Sequence, residues 1–325
     1  MSAENKRAKA IRILLFCTTL WGLSFPVMKA LELTQQKLLP GADSWFLTSL
    51  GVMYRFGIAG LILSVIFFSQ LKTISRRELE QGILIGLFGG GGILFQMDGV
   101  GYTAASTCAF LTQGYCVFIP LWVALAHRRL PSIKTFVSVM LVITGAAVLA
   151  RMNLHELKLG RGELETLIAS FLFTGQILCL EHPRYAANRA GSFSTIMFLV
   201  MALMCVPLVC ATTPDAAACW RAYASLPAVG FLAILIIFCT LIAYTMMNYW
   251  QKFVTATEAG LIYCIEPVFA SVLSLFLPAL FSRVIGIEYA NEQFTLRLLI
   301  GGGLILAANL LLQSKWLERK RDQSD

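Results

Sequence analysis

Ten apolar runs recur along the 325 residues, five in each half. Each has about the 17 to 25 residues a helix needs to cross a hydrocarbon core about 30 Å thick. The spacing predicts spans at 11–33, 45–71, 82–98, 104–126 and 135–152, then at 164–181, 193–211, 226–249, 259–281 and 294–312. Five is an odd number, so the second half starts on the opposite side of the membrane from the first and the halves lie antiparallel. The expected fold is an all-α integral membrane protein of ten transmembrane helices, built as two inverted five-helix repeats. The repeats occupy 1–152 and 161–316, and a basic tail follows at 317–325.

Composition agrees with that class. Hydrophobic residues make up 58% and charged ones 14% of the chain, and the mean hydropathy is +0.73, which is too apolar for a soluble core. With the N-terminus inside, the predicted cytoplasmic segments hold 17 Lys and Arg and the outer loops 7; Lys29 and Arg55 inside spans complete the 26. That bias places both termini in the cytoplasm. The net charge of +8 then follows from topology and contact with anionic lipid, and its spread over six stretches without a polar aromatic face argues against nucleic-acid binding. Lys6, Arg7, Lys9 and Arg12 ahead of an apolar run look like a secretory leader, but the run continues past Trp21 and Pro26 without an A-x-A site, so no cleaved leader is expected. The nine cysteines contain no C-x-x-C pair and mostly sit within spans, so neither a structural disulfide nor a zinc site is expected.

The halves share an order of features. Thr103 to Pro120 gives a small-residue start, Gln113 and a mid-helix proline; a polar turn at 127–131 and a helix with Gly145 follow. Thr255 to Pro267 repeats the pattern with Glu266-Pro267, then Asn291-Glu292 and Gly301-Gly302-Gly303. Trp21 through Lys29 matches Phe173 through Glu181 in the same loose way. Trp21-Gly22-Leu23-Ser24-Phe25, Arg55-Phe56, Phe110-Leu111-Thr112 through Pro120-Leu121 and Glu266-Pro267-Val268-Phe269-Ala270 together resemble the EamA-type branch of the drug/metabolite transporter superfamily. The resemblance is nearly end to end and departs at Pro278 to Ala290, where such proteins carry a shorter turn.

Several intramembrane residues are candidates for a solute path. Prolines 26, 120 and 267 (Pro26, Pro120, Pro267) would kink their helices and free the carbonyls of Gly22, Cys116 and Tyr263. Glu266 is a carboxyl deep in a span, either a proton carrier or a hydrogen-bonded structural group at the kink. Arg55 either binds a solute carboxylate or locks the bundle through an acid or helix end. Gln113 shares a face with Ser106, Phe110 and Pro120 and needs a partner, from a solute or a neighbouring helix. Trp21, Phe25, Tyr115, Tyr244 and Tyr263 are candidate stacking walls. Lys29 and Glu181 read as gate or boundary residues, and Asp98 reads as a boundary carboxylate facing water. Gly82, Gly86 and Gly90 predict close helix packing.

The resemblance implies a secondary transporter of small organic metabolites, most readily amino acids or related amphipathic compounds, working by alternating access in a bacterial-type cytoplasmic membrane. Export is the commoner role it implies, and import stays open. A transporter of nucleotide-linked or other anionic metabolites is the alternative, and a membrane scaffold the alternative outside transport. The chain lacks the motifs of an enzyme, so no catalytic residue, cofactor or metal is expected. The expected partners are a small-molecule substrate and membrane lipid, with no nucleic acid; a homodimer is compatible with the sequence.

Overall fold

The computed structural model describes residues 3–126, 128, 133–149, 159–180, 182–254, 259 and 262–313. Glu181, Trp316 and the tail at 317–325 therefore lie outside the described residues. Among the described residues every regular element is helical. In order they are α1 (Ala3–Leu38), α2 (Ser44–Ile66), α3 (Arg76–Tyr102), α4 (Ala105–Thr112), α5 (Tyr115–Ala126), α6 (Ile133–Leu149), α7 (Arg161–Leu180), α8 (Ala190–Thr212), α9 (Leu226–Trp250), α10 (Glu266–Ser274), α11 (Leu277–Ile285) and α12 (Leu296–Gln313).

Six of these, α1, α2, α3, α7, α8 and α9, are long and apolar enough to cross a membrane. The pair α10 and α11 passes together but bends by 47°, and the apolar stretches Ala105–Ile119, Ile133–Leu149 and Leu296–Leu311 are shorter. The chain is thus a helical membrane protein. Its surface agrees: Leu61, Val65, Leu125, Phe136 and Phe171 are more than half exposed, and lipid tails rather than water suit such a surface.

Local chemistry sets the helix ends. Asp43 accepts the Trp45 amide at 2.8 Å to start α2, and Ser75 with Glu78 forms a capping box at α3. Gly286, at φ 69°, takes the left-handed conformation that stops α11. The residues that depart from the family pattern then fold back: Ser282 and Tyr289 bond to each other, Asn291 caps the Ala279 amide, and Glu292 returns beside Ser274.

Helix α3 packs against both α7 and α8, and glycine is the reason it can come so close. A Cβ on Gly82 would stand 2.6 Å from Ile196 and one on Gly86 2.7 Å from Val200, so both face α8 as the small-xxx-small spacing predicts. Gly145 of α6 and Gly301 of α12 approach each other in the same manner. At the start of α3 the Arg189 guanidinium grips Glu78 at 2.7 and 2.9 Å and also donates to the carbonyls of Gln70 and Thr73, which ties α3 to the start of α8.

Gly86→Ala is expected to lower stability by about 1–3 kcal/mol through overpacking against Val200. Gly303→Ala, which meets open space, should be neutral or stabilising by up to about 1 kcal/mol; thermal melting in detergent compares the two. Arg189→Ala removes charged hydrogen bonds from the Glu78 carboxylate and should lower the melting temperature in the same assay.

Candidate functional site

Two tightened helical turns mark the middle of the molecule. The first joins α4 to α5 at Gln113 and Gly114, where Gln113 keeps right-handed helical dihedrals and both amides bond three residues back; the second is the turn at Cys264 and Ile265 that precedes α10, where the Ile265 amide bonds the Ile262 carbonyl. The two meet. Gln113 Nε2 donates to Glu266 Oε2 at 3.3 Å, with both side chains buried. Cys116, in the first turn of α5, faces Cys264 within hydrogen-bonding reach. Pro267 lies in the first turn of α10, where its missing N–H costs no helical bond. Pro26 and Pro120 lie within α1 and α5, which carry on past them without a break. The interruption in the first half thus falls seven residues before the proline that the sequence points to.

Helix α1 reaches this centre through Gly22, where a Cβ would be 2.7 Å from Phe269 Cβ and 2.9 Å from the Ala270 nitrogen. The Trp-Gly and Glu-Pro-Val-Phe-Ala motifs are therefore packed on one another. Trp21 stands 5.4 Å from Tyr244 and 5.5 Å from Tyr263, centroid to centroid, and its buried Nε1–H has no acceptor among the described residues. Tyr263 donates to Gln251 at 3.0 Å. Tyr115 is buried beside Glu266 and Tyr263, while Phe25 is fully enclosed in the main core.

Arg55 is 1% exposed and has no carboxylate partner among the described residues. Its Nε donates to Thr240 Oγ1 at 2.7 Å and its terminal nitrogens to the Cys239 carbonyl at 3.3 Å and Met28 Sδ at 3.5 Å. A guanidinium has five N–H donors, so two are left over. Thr240 and Cys239 belong to a π-helical turn, Ile237–Ile242, inside α9. Such turns often mark functional sites, because the widened backbone offers groups that a regular helix keeps to itself. Tyr244, one turn on, lies within electrostatic reach of both Arg55 and Glu266. Cation, carboxyl and aromatic rings thus converge from α1, α2, α9 and α10.

Other candidates sit elsewhere. Ser106 donates to Glu292, and Phe110 packs on Gly302, so that face of α4 is occupied by protein. Lys29 donates to the Thr103 carbonyl. Asp98 corrects the sequence reading: it is fully buried rather than facing water, held by Arg161 at 2.6 Å and by the Thr48 hydroxyl at 3.1 Å. Arg161 also binds Glu165 at 2.8 Å and lies 4.1 Å from the Tyr102 ring centre. Sequence reasoning passed over Arg161, Glu165 and Glu32, since charges near span ends ordinarily face water. The one available signal was that Glu165 follows Arg161 by one helical turn.

Comparison with known proteins agrees with this architecture. Residues 8–151 match the EamA-like transporter family. An uncharacterized transporter of Archaeoglobus fulgidus is 22% identical over 270 residues, covering 83% of this chain and 78% of the relative. A solved crystal structure of a protein shares the fold at a TM-score of 0.55 with 14% identity, covering 93% of this chain and 98% of that one. These findings point to a transporter rather than an enzyme. They agree with the EamA-type resemblance read from the motifs, through the match of residues 8–151 to the EamA-like transporter family.

Proposed function

We propose that this protein is a secondary transporter that moves small zwitterionic metabolites, amino acids above all, by alternating access between two inverted five-helix repeats. Both termini would be cytoplasmic in a bacterial-type inner membrane. The observation that carries this reading is the meeting of the two interrupted helices at Gln113 and Glu266, flanked by an acid-free Arg55. A mid-helix turn that exchanges the i→i+4 bond for an i→i+3 one often marks a functional hinge, and distorted helices at a repeat interface are where such transporters bind solute.

The helix pairing supports the inverted repeat. Numbering the ten predicted spans, the second pairs with the seventh, the fourth with the ninth and the fifth with the tenth, each pair mapping onto itself under exchange of the halves. Several of the larger remaining contacts come as mirrored couples: third with sixth and eighth with first, third with seventh and eighth with second, first with ninth and sixth with fourth. Such pairing supports a two-fold relation between the halves, and the odd number of predicted spans in each half is what would turn that axis into the membrane plane.

The site chemistry favours an amphipathic zwitterion. Arg55 offers free N–H donors to a carboxylate, Glu266 offers an acceptor to an ammonium, and Trp21 Nε1 and the Tyr244 and Tyr263 rings supply the wall between. A nucleotide-linked or otherwise highly anionic solute fits less well, because Lys29 is committed to Thr103 and leaves Arg55 as the cation at this centre among the described residues.

Counterflow of labelled amino acids into proteoliposomes tests the reading. Exchange above empty liposomes is expected. Arg55→Met should raise the half-saturating concentration of free amino acids about tenfold or more, equal to about 1.4 kcal/mol, and should leave their methyl esters unaffected. Flux of nucleotides but not of amino acids would transfer the assignment to the anionic alternative, and no flux of any solute would favour a scaffold.

A further inference from the structure

A second polar cluster lies at the end of the molecule where α1 and α3 finish and α7 begins. Three carboxyls meet there. Asp98 is fully buried, and Glu32 and Glu165 are 4% and 6% exposed. Two cations answer them: Arg161, bonded to Asp98 at 2.6 Å and Glu165 at 2.8 Å, and Lys29, bonded to the Thr103 carbonyl.

Their hydrogen bonding is incomplete. Glu32 Oε1 accepts from Gln36 at 2.9 Å, but among the described residues Glu32 Oε2 is buried without a donor, and so is Glu165 Oε2. Arg161 bonds to both the Asp98 and the Glu165 carboxyls and so holds two like charges around one guanidinium. A proton on one of them relieves that repulsion and turns an acceptor into a donor. Glu32 lies within electrostatic reach of Asp98, Lys29, Arg161 and Glu165. Its carboxyl is pressed against Gly101, where any Cβ would collide with it. At the rim, the Glu292 carboxylate is occupied by the Ala105 and Ser106 amides and the Ser106 hydroxyl, and Glu163 by the Thr103 hydroxyl, so neither relieves the three inner acids.

We propose that Glu32, Asp98 and Glu165 form a proton-binding site that holds one exchangeable proton while this end of the bundle is closed. Three inner carboxyls outnumber the two cations, and the rim carboxylates Glu292, which also draws on Lys29, and Glu163 add to the negative excess, which a proton on an inner carboxyl reduces. The proton also turns an orphaned carboxyl oxygen into a donor. The cluster joins α1 and α3 of the first half to α7 of the second, so opening this end admits water, hydrates the carboxyls and releases the proton. Resting on the transporter reading above, this makes the proton the coupling ion and places its site apart from the solute centre.

Infrared spectroscopy of the protein in lipid nanodiscs reads the proton directly, through the stretching band of protonated buried carboxyls. The band should weaken as pH rises, Glu32→Gln and Asp98→Asn should each remove part of that change, and Gly101→Ala, which keeps every carboxyl but displaces Glu32, should move its midpoint. The exposed control Glu288→Gln should alter nothing. A band whose pH response is the same in the wild type and in Glu32→Gln, Asp98→Asn and Glu165→Gln overturns the site. In proteoliposomes an imposed proton gradient should drive labelled amino-acid movement, and Glu32→Gln should abolish the response to the gradient; an intact response in both Glu32→Gln and Glu165→Gln overturns the coupling. If the wild type moves no solute, the transporter reading fails, and the infrared band alone still decides the proton site.

Discussion

Inside a membrane no water is at hand to satisfy an exposed amide or carbonyl, so backbone that leaves the helical pattern has to be enclosed by protein or line a wet path. This chain keeps its backbone bonded by tightening to i→i+3 turns at two central places, Gln113-Gly114 and Cys264-Ile265, and sets them against each other. Much of the remaining architecture follows. Helix α1 packs through Gly22 onto α10 because only a bare Cα fits beside Phe269 and Ala270, and that approach delivers Trp21 to the two tyrosines. The π-helical turn in α9 widens the backbone opposite α2 and gives Arg55 a hydroxyl and a carbonyl in place of a counter-ion.

The molecule divides its polar residues by task. At one end of α3, Arg189 and Glu78 make a compact clamp with every strong acceptor engaged. At the other end, Asp98, Glu165 and Glu32 share too few donors. Between them lies the centre with one carboxyl, one guanidinium and orphaned donors. Complete satisfaction fits a fixed joint, and incomplete satisfaction fits a site that exchanges partners.

The sequence was most legible where apolar length and small-residue spacing carry the information. The helical membrane class and the close packing of Gly82 and Gly86 follow from local patterns, whereas the partner of Gln113 was left open until the structure set it against Glu266. The break in the first half was misplaced because proline is the visible helix breaker, whereas Gln113-Gly114 interrupts the helix without one. Asp98, Glu165 and Glu32 were opaque for another reason: each sits near a span end, where charge ordinarily meets water, and only the three-dimensional approach of α1, α3 and α7 removes that water. The π-helical turn in α9 has no local signature, since Ile237 to Ile242 reads as uninterrupted apolar helix.

The central claim is that the two helix interruptions move against one another as solute passes. Cys116 and Cys264 stand on either side of that junction and face each other. The direct measurement is amino-acid flux in proteoliposomes of a variant whose other seven cysteines are replaced by alanine, before and after copper-phenanthroline oxidation joins the two thiols. Flux that stops on oxidation and returns on reduction is the predicted result; undiminished flux with the disulfide confirmed by mass spectrometry would contradict the account.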